Sequence, residues 1–140
     1  MYNQKRISKK IIISLTIVVV AATAITAFAL NTTLAFRTPP GSVGVPLGGR
    51  RDLGMVDVSR FRQIRVIVDE RVGSPTNARI RLSHIEGSTI VGQLDAITLS
   101  PHSEIVRVYD VPGTMLKISA EGLGSGSGQD FVDVSIYGSE

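Results

Sequence analysis

Residues 130–137 read Asp-Phe-Val-Asp-Val-Ser-Ile-Tyr, and the alternation in this segment decides the fold class. Successive side chains of an extended chain point to opposite sides, so Val132, Val134 and Ile136 share one face. Polar and aromatic side chains occupy the other face. The segment is therefore predicted to be a β-strand with one face buried in a core.

Segments of the same kind recur upstream, and turn residues such as Gly, Pro, Asn and Ser separate them. In residues 104–110 the pattern predicts Val106 and Val108 inside and Arg107 and Tyr109 outside. The other predicted strand segments are residues 55–58, 61–70, 78–86, 89–99 and 115–120. In three of them alternation predicts one apolar face: Ile64, Val66 and Val68, then Ala78, Ile80 and Leu82, and last Leu116, Ile118 and Ala120.

This spacing predicts an all-β fold, because no segment after residue 36 carries the longer apolar period of a packed helix. Seven or eight strands, each with one apolar face, are typical of an antiparallel β-sandwich of the jelly-roll or Greek-key kind. A single closed barrel is the alternative. An N-terminal hydrophobic helix is predicted to precede the strands.

The N-terminus has the layout of a secretory signal peptide. Lys5, Arg6, Lys9 and Lys10 precede an uncharged stretch over residues 11–36. Ala27 and Ala29 predict cleavage before Leu30. The alternative is an uncleaved anchor, because residues 11–30 are long enough to cross a hydrocarbon layer of about 30 Å. Both interpretations place the remaining chain outside the cytoplasm, either secreted or anchored.

The predicted domains are a signal peptide or anchor at 1–29, an extended segment at 30–54 and the β-sandwich at 55–140. Residues 37–54 contain five glycines and three prolines, which is typical of a linker or an edge strand. Val43, Val45 and Leu47 alternate, and Pro46 would confine a strand there to a sheet edge. Such a strand would pair with its own domain or with a neighbouring subunit.

Charge and composition exclude several classes of protein. The formal charge of the chain is +3, but four of its fifteen basic residues lie before residue 11, leaving eleven against twelve acidic residues. The basic excess therefore belongs to the targeting segment, and nucleic-acid binding is not predicted. The absence of cysteine excludes a disulfide scaffold and a Cys-ligated zinc site.

Arginine on the polar side of the predicted strands is the most distinctive polar feature. One interpretation is cross-strand ion pairing with acids such as Asp69, Glu104 and Asp133. The other is a face that binds an anionic surface polysaccharide or a protein partner. The candidate binding face consists of Arg65, Arg79, Arg81, Arg107, Lys117 and Tyr109.

No motif for catalysis, a cofactor or a metal is strong. Residues 122–128 are rich in Gly and Ser but lead into a strand, whereas a phosphate-binding loop leads into a helix. Residues 126–132 match one copy of a calcium-binding repeat, an architecture that needs tandem copies. His84 and Glu86 share a strand face, and a zinc site would need further ligands such as Glu104, while His102 falls in a turn. We therefore predict no catalytic, cofactor-binding or metal-binding residue.

These observations predict an exported, non-enzymatic domain that acts in binding or in surface structure outside the cytoplasm. One alternative is a subunit of a surface fibre or coat, a homo-oligomer assembled by β-strand pairing. Another is a small secreted hydrolase or metal-dependent enzyme. Contact with a membrane is predicted only through residues 11–30, if they are not cleaved.

Overall fold

The computed structural model describes residues 32–39, 42–71, 73–110 and 115–140. The predicted N-terminal helix and the cleavage site at Ala27, Ala29 and Leu30 lie outside these residues. Within the described ranges, no helix is long and apolar enough to span a membrane. The strands are β1 (Thr32–Arg37), β2 (Val43–Pro46), β3 (Arg50–Asp57), β4 (Gln63–Glu70), β5 (Ala78–Glu86), β6 (Thr89–Leu99), β7 (Glu104–Asp110), β8 (Met115–Gly122) and β9 (Gln129–Ser139).

The strands form two antiparallel sheets. Sheet A has the order β1-β9-β4-β7, and β2 also pairs with β9. Sheet B has the order β3-β8-β5-β6. The prediction of an all-β fold with antiparallel sheets is confirmed, and the described chain has nine strands where the sequence predicted seven or eight.

The strand pairs are nested along the chain. The hairpin of β5 and β6 is innermost, followed outward by β4 with β7, β3 with β8 and β2 with β9. Successive pairs alternate between sheet B and sheet A. The chain therefore resembles one long antiparallel hairpin that is rolled up, and rolling brings β9 beside β4 and β8 beside β5.

One hydrophobic core lies between the sheets. In the strands that have a neighbouring strand on both sides, alternation correctly predicted which residues form this core. Burying one Val, Leu or Ile side chain there contributes about 1.5–3 kcal/mol to stability. The residues concerned are fully buried: Ile64, Val66, Val68, Ala78, Ile80, Leu82, Leu116, Ile118, Ala120, Val132, Val134 and Ile136.

The prediction for strand β7 was wrong, because the face predicted to point outward is the inner face. Arg107 and Tyr109 lie opposite the buried Val66 and Ile64, so they face inward, while Val106 and Val108 face outward. The Tyr109 hydroxyl donates a hydrogen bond of 2.5 Å to the carboxylate of Asp95 on β6. This bond joins the rims of the two sheets, and it fixes the face of β7 that turns inward.

The segment between residues 32 and 57 supplies three strands, so the two-sheet domain includes most of the predicted linker. β2 pairs with β9 of its own chain, with Val43 opposite Val132. Pro46 ends β2 at the edge of sheet A, as expected for a residue without an N–H. The chain then crosses to sheet B, where the N–H of Gly48 donates to the carbonyl of Gly122 at 3.0 Å. Gly48 has a φ of 66°, a left-handed conformation that glycine adopts without strain.

Candidate interaction surfaces

One end of the outer face of sheet B is a network of paired charges. Arg81 on β5 donates to Glu121 on β8 at 2.8 Å, and Arg79 lies 3.7 Å from the same carboxylate. The hydrogen bond from Arg81 lowers the pKa of the Glu121 carboxyl, and the charges of the neighbouring arginines act in the same direction. Arg50 on β3 extends the network by donating to the Ser119 hydroxyl at 2.8 Å.

Lys117 belongs to the same face and has its own acidic partner. Its ammonium group lies 2.7 Å from the carboxylate of Asp52 on β3. Three members of the predicted binding face, Arg79, Arg81 and Lys117, are thus ion-paired across strands. Their partners are Glu121 and Asp52, which were not among the acids named from the sequence.

The other three members of the predicted binding face lie elsewhere. Arg65 is on the outer face of sheet A, with its guanidinium 5.7 Å from the centre of the Tyr137 ring. Arg107 and Tyr109 are on the inner face of β7, at the rim of sheet A. The six residues therefore do not form one surface, and binding by any of them stays a prediction.

The opposite end of the outer face of sheet B is apolar. A row of apolar side chains crosses three strands: Met115 on β8, Ile85 on β5 and Ile90 on β6. Met55 on β3 pairs with Lys117, so it is the diagonal neighbour of Met115. Met55, Ile90 and Met115 are 60%, 50% and 39% exposed, whereas Ile85 is buried although it lies outside the hydrophobic core. We call these four residues the apolar patch.

A shallow groove of about 380 Å³ adjoins Met55 of the apolar patch. The groove runs between β1 and the end of β3. Both polar and aliphatic side chains line it. Its other lining residues are Ala35, Val56, Asp57, Ser59 and Arg60. This region was not predicted from the sequence, because the polar strand faces were interpreted through their charges and not through their apolar side chains.

Strand β7 is an open edge of sheet A. Among the described strands it pairs with β4 alone, and none of them pairs with the other side of its backbone. Val106 and Val108 are 44% and 50% exposed and lie opposite Ile67 and Arg65 of β4. An edge strand with exposed β-branched side chains is a template for pairing with another chain.

Two acids that were not predicted as site residues are buried at one end of the core. Glu70 is the last residue of β4 and Asp130 is the second residue of β9, and both are fully buried. Burial raises the pKa of Glu70 to about 7, and the negative charge of Asp130 acts in the same direction. The Ala78 backbone and the Ser74 side chain partly offset this shift, although neither makes a well-aligned hydrogen bond with Glu70.

The residues considered for metal binding lie apart. His84 is on β5 of sheet B, whereas Glu104 is on β7 of sheet A, and His102 lies in the preceding turn with a φ of 61°. Glu86 is exposed at the end of β5. Within the part of the chain that the structure describes, no group of three His, Cys, Asp or Glu residues could hold a metal ion.

Comparison with known proteins supports the architecture only. No protein-family model matches the chain, and no curated protein matches it in sequence. The chain is similar to a crystal structure of tripeptidyl peptidase 2, with a TM-score of 0.56 and 12% identity over 78% of this chain. It spans only 10% of that peptidase, and the likeness shows the fold alone.

A second solved structure comes from Bacillus endospore appendages, which form a novel family of disulfide-linked pili. It matches with a TM-score of 0.43 and 8% identity, over 79% of this chain and 90% of that chain. A likeness at this level carries no argument about fold or function.

Proposed function

We propose that this chain is an exported, non-enzymatic domain that acts outside the cytoplasm in binding or in surface structure. Four basic residues before an uncharged stretch over residues 11–36 support export. The apolar patch supports binding, since soluble domains seldom leave contiguous apolar side chains exposed without a partner.

The fold that we propose is a jelly-roll β-sandwich. The nested pairing of β5 with β6, β4 with β7, β3 with β8 and β2 with β9 supports it, because a rolled hairpin distributes alternate pairs between two packed sheets. β1 is then an addition to the edge of sheet A. This frame holds the side chains of the apolar patch on the four adjacent hydrogen-bonded strands of sheet B.

The single observation that carries the binding proposal is the row Met115–Ile85–Ile90 with Met55 beside it. Its side chains are aliphatic or thioether groups, which adapt to apolar protein surfaces. Recognition of sugars by stacking needs aromatic rings, which the patch lacks. We therefore propose that the partner is a protein with an apolar surface of its own, rather than a surface polysaccharide.

Site-specific photocrosslinking in intact cells of the source organism tests this proposal. A photoreactive amino acid at Ile90 should give one discrete adduct with a protein. The same group at Thr98 should not, although Thr98 lies on the same strand and also faces outward at the polar end. Met115→Glu should abolish the adduct at Ile90 by placing a charge in the same apolar row, on the other side of Ile85.

Two results would contradict the proposal. Equal crosslinking from Ile90 and Thr98 would show that the patch has no preference for a partner. Crosslinking only to cytoplasmic proteins would contradict export. The N-terminus of the natural protein then separates the two forms of export, because Leu30 indicates secretion and Met1 indicates an anchor.

The open edge of β7 favours a second candidate function, a subunit of a surface fibre or coat. Another copy could pair with the free side of β7 and extend sheet A. This function ranks second because Arg107 points inward on the edge strand, a feature that proteins use to discourage such pairing. Light scattering of the purified chain over a range of concentrations tests it, and a monomer at every concentration would exclude it.

A further inference from the structure

The buried acids Glu70 and Asp130 lie on the inner face of sheet A at the end of its core. On β4 the inner face runs through Ile64, Val66 and Val68 to Glu70, and Glu70 lies opposite Val132 of β9. Asp130 is two residues before Val132 and is therefore the diagonal neighbour of Glu70. Residues that are diagonal across two strands are close enough for long side chains to meet.

The two carboxylates differ in how they are satisfied. Asp130 accepts hydrogen bonds from the backbone N–H and the hydroxyl of Thr76, at 3.1 and 2.8 Å. Among the described residues, none makes a well-aligned hydrogen bond with either carboxylate oxygen of Glu70, although the Ala78 backbone and the Ser74 side chain lie near it. Ser74, in the same connection as Thr76, accepts a bond of 2.8 Å from the N–H of Phe131, which holds this connection over the end of β9.

A buried carboxylate without a partner is costly, and a second carboxylate nearby adds repulsion. A divalent cation removes both costs at once. Carboxylate, hydroxyl and carbonyl oxygens are the ligands that Ca²⁺ prefers, and Ca²⁺ accepts irregular sets of six to eight oxygens. Asp130 is also the acidic residue of the segment 126–132, which matches one copy of a calcium-binding repeat.

We propose that Glu70 and Asp130 bind a calcium ion at this end of the domain. Both oxygens of Glu70 and one of Asp130 supply the negative charge. The Ser74 hydroxyl and oxygens of the connections at 73–77 and 123–128 would be the neutral donors, since Thr76 contacts Asp130 and the Leu123 N–H donates to the Asn77 carbonyl. Thr76 is the positioning residue that orients Asp130. The ion would link β4, β9 and the two connections that cover the end of the core.

Thermal unfolding of the full chain with Ca²⁺ as the only added ligand tests this site. Sites in extracellular proteins bind Ca²⁺ with a dissociation constant of about 10⁻⁴–10⁻³ M, so about 10 mM Ca²⁺ should raise Tm by several degrees. Glu70→Gln should fold, since it removes a buried charge, and should lose the Ca²⁺-dependent shift. The control is Asp69→Asn, which neutralises the adjacent, outward-facing acid and should keep the shift.

Two results would overturn the proposal, and a third observation beside the first would identify what neutralises the acids instead. One is a wild-type Tm that does not change with Ca²⁺. Another is an equal shift in wild type and Glu70→Gln, which would place the ion on exposed acids. The third is a Tm that rises on acidification in wild type but not in Glu70→Gln, without any effect of Ca²⁺. That result would show that the acid pair is neutralised by a proton.

Discussion

At the scale of single residues, the hydrogen bond from Tyr109 to Asp95 leads to a prediction about how the stability of the fold depends on pH. Burial raises the pKa of the Tyr109 hydroxyl, and the bond to Asp95 acts in the same direction. The folded state therefore holds this phenol neutral, while the unfolded chain ionises it near pH 10. We expect the stability to fall as the pH rises above about 10, because only the unfolded state gains from ionisation.

Tyr109→Phe should lower the free energy of unfolding by about 1–3 kcal/mol near pH 7, since it removes a hydrogen bond to a charged group. It should also reduce the alkaline loss of stability. Urea unfolding at pH 7 and pH 11 measures both effects. Tyr137→Phe is the matched control, because the Tyr137 ring lies beside Arg65 on the outer face. An equal effect of both substitutions would contradict the assigned role of Tyr109.

Gly138 shows how closely the chain packs near the end of β9. A Cβ atom at this position would overlap the ring of Phe61, a buried core residue. We expect Gly138→Ala to destabilise the domain by about 1–3 kcal/mol, the usual cost of overpacking. Gly92→Ala is the control, because no atom of the described part of the chain lies within 4 Å of its added Cβ. Chemical denaturation compares the two variants, and equal stability would contradict this account of Gly138.

The inward position of the two buried acids follows from alternation in the sequence, although neither acid was predicted as a site residue. Extending the alternation of Ile64, Val66 and Val68 by one step places Glu70 on the inner face. Extending Ile136, Val134 and Val132 backward places Asp130 there. Alternation alone could not show that the two acids meet, because that depends on the register between β4 and β9.

At the scale of the strands, alternation predicted the inner faces of β4, β5, β8 and β9, each of which has strands on both sides. It failed on β7, an edge strand that packs against the core with Ile105 and Tyr109 while its two valines face solvent. The inner face of an edge strand is partly open to solvent, because a neighbouring strand covers it on one side only. A polar side chain can lie there, so the pattern of polarity no longer identifies the inside.

The open edge of β7 gives a prediction at this scale. If copies of the chain pair through β7, the double substitution Val106→Lys and Val108→Lys should abolish concentration-dependent association. Lysine on an edge strand opposes edge-to-edge pairing. The fold should be retained, because both side chains are exposed. Leu123→Lys, at an exposed apolar position away from β7, should leave association unchanged. Light scattering distinguishes these cases, and association that persists in the double variant would exclude the β7 edge.

At the scale of the whole molecule, the domain depends on its first strands. β2 covers one side of β9, and its fully buried residue Val45 is part of the shared core. A chain that begins at Met55 would lose this cover together with most of β3. We expect it to aggregate or to lack a cooperative transition, whereas a chain that begins at Leu30 should unfold cooperatively. Circular dichroism on heating compares them, and equal melting would show that residues 55–140 suffice.

The position of β9 has a consequence for the order in which the domain can fold. β9 is the last of the described strands along the chain, yet it lies inside sheet A between β4 and the strands β1 and β2. The first eight strands therefore cannot complete sheet A on their own. If the chain is exported as proposed, threading it N-terminus first through a channel would leave sheet A incomplete until β9 emerges. This strand order would then keep the polypeptide in the extended form that such a channel accepts.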